Sequence, residues 1–451
     1  MSDLREEART GPGGEWGSRS AERHLRSLEL FGMRFGLDRM RRMMTALGSP
    51  ERGFQSIHVV GTNGKSSSTR MIAAILERHG LRTGAYLSPH LRSYTERVRI
   101  SERDISEHDF AKAVATAARA AERVNRTLAE DDHVTQFELL TAAAFFELDR
   151  RRVQVGVIEA GLGGRYDATS VIDSSVTVLT GVDLEHTRWL GPTLRDIAAE
   201  KLAVLKEGTT LVLPADVDPE VLALAHDNAR SKRSRVISPD KGYWETMLAT
   251  QGSFQRRNFA LARAAAEAYL TGAGMSLEED AVAAAARETL VPGRLQRVGE
   301  SPLTIFDGAH NPDAVRALCE SLDELAADRQ IVLVLGVLDD KDAAGMLKLL
   351  LGRCARAWFT APPSARALSP AALESLARQQ GFENAVCEPD CERALDQARD
   401  FACENERDTL VLATGSIYLI GALLAHLETP RPGLHGPHRQ EDRPIQRNTT
   451  R

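Results

Sequence analysis

His58-Val59-Val60-Gly61-Thr62-Asn63-Gly64-Lys65-Ser66-Ser67-Ser68 is the stretch whose reading decides the fold. A short β-branched run ends in a glycine-bracketed turn, and Lys, three hydroxyls and the helical pattern Thr69–Arg78 follow. That order gathers the turn's backbone N–H groups and a helix N-terminus around one point, which is a site for phosphate. Lys65 adds a mobile positive charge for the outer phosphates, and Ser66 or Ser67 can hold Mg²⁺. Gly61 and Gly64 lack the Cβ that would obstruct a tight turn and close approach to an anion. The spacing G-x-x-G-K-S-S is shorter than G-x-x-x-x-G-K-[ST], so the flanking strand and helix carry as much of the signal as the letters do. The turn from Gly61 through Asn63 to Ser67 is therefore expected to bind a nucleotide. The plain alternative is a Gly-Lys-Ser turn that binds nothing.

Around this turn, strand-like runs alternate with helical patterns. Ser56–Val60, Val153–Ile158, Val176–Thr180 and Thr209–Leu213 read as strands, with helices such as Asp109–Leu128 and Gln136–Asp149 between them. Strands separated by helices of ten or more residues imply a parallel sheet. The Ala-rich stretch Ala111–Arg123 reads as a packing helix. After the Val291-Pro292-Gly293-Arg294 turn, a candidate hinge, the alternation repeats on a smaller scale. Leu303–Phe306, Gln330–Leu335, Ala357–Thr360 and Thr409–Ala413 are the strands; Asp313–Leu325, Lys341–Leu351, Pro370–Gln380 and Cys391–Cys403 are the helices. The expected architecture is α/β: a P-loop parallel-sheet ATPase domain over residues 21–299, then a smaller Rossmann-like α/β domain over 300–428. Residues 1–20 and 429–451 show no apolar periodicity and are expected to be a disordered leader and tail.

The chain of 451 residues carries 43% hydrophobic and 27% charged residues and a formal net charge of −6, which argues against a general nucleic-acid binder. No apolar run reaches the length of a membrane span, and Met1–Ser20 lacks the apolar centre of a signal peptide. A cytoplasmic monomer acting on small molecules is the expectation, with neither nucleic acid nor membrane as partner. The five cysteines (Cys319, Cys354, Cys387, Cys391, Cys403) are odd in number and not paired as C-x-x-C, and read as reduced thiols used mostly in packing.

In an open parallel sheet ligands gather at the carboxyl ends of the strands. Glu159 follows Val153–Ile158 and precedes Ala160-Gly161-Leu162-Gly163-Gly164-Arg165-Tyr166-Asp167; there it can hold Mg²⁺ directly or through water, or cap the turn that follows. His186 follows Val176–Thr180, and beside Glu159 and Ser67 its imidazole becomes a plausible metal ligand. Lys201, taken alone, reads as a solvated helix lysine. In the second segment Phe306-Asp307-Gly308-Ala309-His310-Asn311-Pro312 closes a strand with a polar cluster. Asp307 and His310 can contact the nucleotide or the reacting group, or serve the turn and the helix cap. Thr414-Gly415-Ser416 carries the same two readings.

Several blocks in order resemble the folylpolyglutamate synthase and dihydrofolate synthase family of the Mur ligase superfamily. They are Phe35-Gly36-Leu37-Asp38-Arg39, Gly61–Ser67, Ser88-Pro89-His90-Leu91, Tyr94-Thr95-Glu96-Arg97-Val98, Phe137-Glu138, Glu159–Asp167, His186-Thr187 with Trp189-Leu190-Gly191, Glu200-Lys201, Pro292-Gly293-Arg294, Asp307–Pro312 and Asp339–Asp342. The resemblance implies that Gly61, Asn63, Gly64, Lys65, Ser66 and Ser67 bind ATP phosphates and that Asn258, Arg294 and Asp307 contact the nucleotide elsewhere. It implies Mg²⁺ on Ser67, Ser88, Glu159 and His186, catalytic roles for Lys65, Lys201 and His310, and carbamylation of Lys201. Gly36, Leu37, Asp38, Gln136, Phe137, Glu138, Tyr166, Asp167 and Ala168 fall where bifunctional members hold dihydropteroate. Two positions depart from the family: Ser66 stands where folate members usually have Gly, and Glu185 replaces the usual Asp before the His.

The implied activity is ATP-dependent amide ligation, adding L-glutamate to dihydropteroate or to the γ-carboxylate of a folate through an acyl phosphate. Another Mur-type amino-acid ligase, or a nucleotide-dependent binding protein without ligase chemistry, are the alternatives.

Overall fold

A computed structural model describes residues 16–28, 36–239, 247–326, 328–405 and 407–428. Among the described residues fourteen strands form two sheets. The first sheet contains β1 (Gln55–Val60), β2 (Thr83–Tyr86), β3 (Val98–Ile100), β4 (Arg103–Asp104), β5 (Val155–Glu159), β6 (Ser174–Leu179), β7 (Thr210–Val212) and β8 (Arg235–Ile237), in the order β4-β3-β2-β5-β1-β6-β7-β8. The second contains β9 (Gln296–Glu300), β10 (Leu303–Phe306), β11 (Gln330–Leu335), β12 (Cys354–Phe359), β13 (Ala385–Cys387) and β14 (Thr409–Thr414), in the order β13-β12-β11-β14-β10-β9. Both sheets are parallel except where β2, β3 and β4 pair antiparallel at one edge and β9 pairs antiparallel with β10 at another. The α/β architecture read from the sequence is the one observed.

β1 is central, flanked by β5 and β6, and five of its six residues are buried. Side chains of successive strand residues point to opposite faces. Ile57, Val59, Val155, Val157, Val176 and Val178 face the helices Lys65–Arg78, Ser253–Gly272 and Glu279–Glu288. Val60 and Leu179 face the other way, toward helices Leu194–Leu202 and Pro219–Ser231. Ile158, on that same side, packs with helices Asp38–Leu47, Glu107–Asn125 and Gln136–Arg150. In the second sheet Ile305, Leu333 and Leu412 face one layer, and Phe306, Val334 and Ala413 the other. Burial on both faces is why these strands read as continuous apolar runs. Among the polar residues that interrupt these runs is His58, which points into the core beside Ile158, meets Thr169 Oγ1 at 2.8 Å and is pushed down to about 3 by burial, with Lys206 adding to the shift.

Several expectations are corrected. Ser18–Ser20 are not leader but the first turn of a helix, Ser18–Ser27, whose Ala21 and Leu25 are fully buried against the Glu107–Asn125 helix. The rest of the expected leader (1–15), Phe35 and the expected tail (429–451) lie outside the described residues. The division at 299/300 cuts through β9, a half-exposed edge strand reading Gln-Arg-Val-Gly-Glu with no apolar alternation to announce it. Lys201 is not a solvated helix lysine: it is only 4% exposed. Of the cysteines, all free, Cys319 is buried, but Cys387 and Cys403 are exposed and pack little.

Candidate active site

The helix after β1 begins at Lys65 itself, with Gly64 in a left-handed conformation (φ 82°) as its cap. Gly61 has φ 152°, and a Cβ there would stand 1.9 Å from Thr180 Oγ1. The loop after β6 braces the turn from below. Thr62 N–H donates to Gly181 O at 2.9 Å, and Thr180 Oγ1 donates to Asn63 O at 2.6 Å. Lys65 Nζ curls back to donate to Gly61 O and Thr62 O, both at 3.1 Å. Beneath the turn, Lys201 Nζ donates to Gly61 O at 2.8 Å; burial, reinforced by Lys65, pulls its amine down to about 7.

The carboxyl ends of β1, β5 and β6 face those of β10, β11 and β14 across one cleft of about 450 Å³. Asn63, Gly64, Lys65, Ser66, Ser67, Ser88, Glu159, His186, Asn258, Arg294, Asp307 and His310 all line it. Glu159, at the end of β5, accepts from Ser66 Oγ with both oxygens at 2.9 Å and from Ser88 N–H at 3.0 Å. The hydroxyl that meets Glu159 is thus that of Ser66, not Ser67. Burial raises the Glu159 carboxyl above its ordinary range, with Lys65 and these hydrogen bonds opposing the rise. Asn258, from the Ser253–Gly272 helix, lies over the turn: its Oδ1 would be 2.4 Å from a Cβ at Gly64.

From the second sheet, Asp307 Oδ1 accepts from Ala309 N–H at 2.8 Å and Oδ2 from Leu295 N–H at 2.9 Å, fixing the bend that carries Arg294. Arg294 Nη1 would stand 3.1 Å from a Cβ at Gly308, so the guanidinium rests on that glycine. Ser416, after β14, also lines the cleft.

Three side-chain groupings, none of them read from the sequence as a grouping, tie the two halves together. Glu185 Oε1 lies 3.1 Å from Lys341 Nζ, 3.5 Å from His310 Nε2 and 3.7 Å from His186 Nε2. Burial works against its ionisation, but His310, Lys341 and His186 outweigh burial and hold the carboxyl far below the usual range. His186 itself is pulled down to about 4, by burial against the raising effect of Glu185. Asn63 donates to Asn311 Oδ1 (3.3 Å) and Asp313 Oδ2 (2.9 Å), and Asn311 donates back to Asn63 Oδ1 at 3.1 Å. Asp183 faces Asp313, and burial together with that neighbour pushes it up to about 6. The sequence shows their members only singly, as Asn63 of the glycine turn, Glu185 before His186, and the Asp307–Pro312 and Asp339–Asp342 blocks.

The remaining expected residues lie elsewhere. Helix Asp38–Leu47 packs on helix Gln136–Arg150 and on the turn Ala168–Val171, which brings most of that set together outside the cleft. Gln136 Nε2 donates to Leu25 O at 2.7 Å, and Glu138 pairs with Arg39 Nε at 3.0 Å, so both side chains have internal partners. Phe137 abuts the cleft wall: its ring would be 2.5 Å from a Cβ at Gly161. Asp167 is buried and bonds Leu162 and Thr169 N–H; Ala168 is buried behind it. Tyr166 is 48% exposed, Asp38 meets solvent beside Arg42, and Gly36 and Leu37 precede the helix in the loop.

Among the described residues no three His, Cys, Asp or Glu side chains cluster as a ready-made metal site, and no helix is long and apolar enough to cross a membrane. Residues 293–417 match the family model for the Mur ligase glutamate ligase domain. The folylpolyglutamate synthase of Lacticaseibacillus casei is 31% identical over 409 residues, covering 85% of this chain and 93% of that protein. The dihydrofolate synthase/folylpolyglutamate synthase of Escherichia coli is 30% identical over 438 residues, covering 94% and 97%. The solved structure of Mycobacterium tuberculosis folylpolyglutamate synthase complexed with ADP aligns with a TM-score of 0.85 and 30% identity, over 92% of this chain and 98% of that one. With a glycine turn braced at the end of its central strand and a glutamate-ligase half closing the opposite wall, this chain belongs to the folylpolyglutamate synthase/dihydrofolate synthase family of Mur ligases.

Proposed function

We propose that the chain is an ATP-dependent carboxylate–amine ligase that joins L-glutamate to dihydropteroate, to the γ-carboxylate of a folate, or to both. The observation that carries this reading is the pairing, across one cleft, of the Gly61–Ser67 turn with Arg294, His310 and Lys341 of the second half. In the reaction the substrate carboxylate attacks the γ-phosphorus of ATP, giving an acyl phosphate and ADP. The amino group of glutamate then adds to the acyl carbon, and phosphate leaves.

The turn's N–H groups and the N-terminus of the Lys65–Arg78 helix hold the phosphates. Among the described residues Lys65 Nζ hydrogen-bonds only backbone carbonyls, which it can exchange for phosphate oxygens at small cost. Arg294 approaches from the opposite wall and offsets charge on the phosphoryl group in flight. His310, at the cleft surface beside Glu185, is placed to receive a proton from the glutamate ammonium. Closure of the two halves excludes water from the acyl phosphate.

The oxygen set at Glu159, Ser66 and Ser88 suits Mg²⁺. That ion favours hard oxygen donors and binds through one or two protein ligands plus substrate phosphates, so the lack of a larger carboxylate cluster is no obstacle. Ser66, Ser67, Ser88, Glu159 and His186 are the residues that would hold it. When bound, the ion neutralises triphosphate charge. The neutral amine available to Lys201 near pH 7 is the form that adds to CO₂, losing a proton to leave a carbamate anion beneath the turn. Dihydropteroate or folate is assigned to the surface formed by Gly36, Leu37, Asp38, Phe137, Tyr166 and Ala168, with Gln136, Glu138 and Asp167 supporting it from within.

The test is ADP and phosphate release from Mg-ATP with L-glutamate, offering dihydropteroate and tetrahydrofolate separately. Turnover with either one fixes the specialisation, and with both establishes a bifunctional enzyme. ATP binding without ADP formation in either mixture overturns the ligase reading.

A further inference from the structure

The strand that ends in the nucleotide turn also carries a buried imidazole that takes no part in the reaction outlined above. His58, shortly before Gly61, is fully buried, and its Nε2 meets Thr169 Oγ1 at 2.8 Å. Thr169, also fully buried, gives its hydroxyl proton to Asp167 Oδ1. A hydroxyl has a single proton, so the imidazole must be the donor in the first bond, protonated at Nε2 and bare at Nδ1. Nδ1 has no hydrogen-bond partner among the described residues. Burial, with Lys206 adding to it, holds the ring neutral. An unpartnered polar atom in the core is costly, and an apolar side chain at this position would avoid that loss. What the imidazole adds is a directed hydrogen bond to Thr169.

Asp167, at the end of this relay, governs the loop after β5. Its carboxylate accepts from the N–H groups of Leu162 at 2.8 Å and Thr169 at 3.0 Å, from that of Gly161, and from the Thr169 hydroxyl. These donors fill the roughly four acceptor positions of a carboxylate, so Asp167 has none left to offer a substrate. The loop they fix borders both the cleft and the helix that carries Lys201. Gly161 lines the cleft together with Glu159. Gly164 lies against the helix backbone: a Cβ there would stand 2.7 Å from Glu200 O and 2.9 Å from Lys201 O. Tyr166, next to Asp167, is half-exposed.

We propose, on the ligase reading above, that His58 and Thr169 are positioning residues for the carboxylate substrate: they hold Asp167, and through it the Gly161–Asp167 loop, in register with the Gly61 turn. His58 and the turn belong to one strand and its continuation, so the relay sets the loop against the same backbone that sets the phosphates. Attack of a carboxylate on the γ-phosphorus tolerates little error in that spacing, because a displacement of about 1 Å can cost ~100-fold in rate. Loosening the relay therefore acts on the carboxylate substrate and leaves the nucleotide in place.

The test compares Thr169→Val, which removes the hydroxyl, with Thr169→Ser, which keeps it. ADP release from Mg-ATP and L-glutamate is followed while dihydropteroate or tetrahydrofolate is varied, and ADP affinity is measured by calorimetry. Thr169→Val should raise KM for the carboxylate substrate about 10- to 100-fold, the effect of losing a hydrogen bond to a charged group, with ADP affinity and KM for glutamate unchanged. Thr169→Ser should bring KM back to within about threefold of wild type. His58→Asn, whose amide is too short to reach Thr169, leaves the donors on Asp167 in place and should raise the same KM by about 3- to 10-fold. That variant keeps the test decisive should Thr169→Val fold poorly. Unchanged KM in Thr169→Val and His58→Asn beside an active wild type overturns this proposal alone. So does an ADP affinity that falls in step with KM, or a Thr169→Ser enzyme no better than Thr169→Val. A wild type that releases ADP with neither carboxylate overturns the ligase reading and the proposal with it.

Discussion

Replacing Glu185 by Gln removes one charge at the point where the two halves of the cleft meet. Glu185 Oε1 is 3.1 Å from Lys341 Nζ, and the two side chains are only 13% and 12% exposed, so solvent screens the pair weakly. At an effective dielectric of about 20 the direct attraction at that distance is about 5 kcal/mol. Part of this is offset by the desolvation of both ions, and Asp340, 3.6 Å from the same Nζ, remains as a substitute partner. A net loss of about 2–3 kcal/mol follows, somewhat less than the ~3–5 kcal/mol of breaking a buried pair that has no substitute partner. Glu185 sits in the first half, whereas Lys341 and His310 belong to the second, so the loss falls on assembly of the cleft. The expected result is a fall in kcat/KM of about 30- to 100-fold, read as ADP release under steady state. Glu185→Asp should recover part of it. A double-mutant cycle of Glu185→Gln with Lys341→Met should return a coupling of about 2 kcal/mol. A coupling below about 0.5 kcal/mol, or a Glu185→Gln enzyme within twofold of wild type, refutes the reasoning.

Lys65→Ala should abolish turnover while leaving the fold intact by circular dichroism; near-normal turnover would remove the nucleotide assignment of the Gly61–Ser67 turn. Asp183 is raised to about 6 by burial and by Asp313, so the folded state favours its protonated form. That preference helps stability below the ordinary carboxyl pKa and is lost as pH rises through about 6. Asp183→Asn should therefore stabilise the protein at pH 7.5 by about 1 kcal/mol, after discounting for partial exposure, and gain nothing near pH 3.5. A lower melting temperature for this variant at pH 7.5 contradicts the sign. Gly61→Ala forces a Cβ to within 1.9 Å of Thr180 Oγ1 at a φ of 152°, and should cost at least about 1–3 kcal/mol in chemical denaturation and weaken ADP binding with it. Arg39→Gln removes the guanidinium that neutralises the buried Glu138, leaving it only its bonds to Thr135, and should cost about 3 kcal/mol by the same measurement, with little change in ADP affinity.

The shape of the Gly61–Ser67 turn was legible because it is contiguous: strand, glycines, Lys and helix lie close together in the sequence, and local backbone chemistry dictates the shape. The central strands were legible because burial on both faces leaves uninterrupted apolar runs. β3, β8 and β9 were not, since strands of three to five partly exposed residues, at a sheet edge or next to it, carry no such run. Glu185, His310 and Lys341 form one charge cluster drawn from three distant segments, and no periodicity links them before the chain folds. Lys201 shows the same limit: helix spacing places it beside Leu202, but only the packing of Gly61 over it shows that it is buried. The roles of the Gly36–Asp38 and Gln136–Glu138 blocks came from family resemblance alone, because Gln136 and Glu138 have hydrogen bonds that satisfy them internally.

The bracing of the Gly61 turn by the loop after β6 has a consequence for the order of events on the ribosome. β1 is the first strand made among the described residues, yet both its neighbours, β5 and β6, are made far later. The hydrogen bond from Thr180 to Asn63 spans 117 residues, and the one from Lys201 to Gly61 spans 140. At a synthesis rate of about 5–20 residues per second, the turn waits about 6 to 28 seconds before its supports exist. Through that interval both backbone edges of this strand lack the neighbours they pair with, and nucleotide has nothing shaped to bind. ATP can therefore rescue a destabilised variant only after the first sheet has closed, and substitutions in β5 or β6 should lower the yield of folded protein in ways that added nucleotide does not repair.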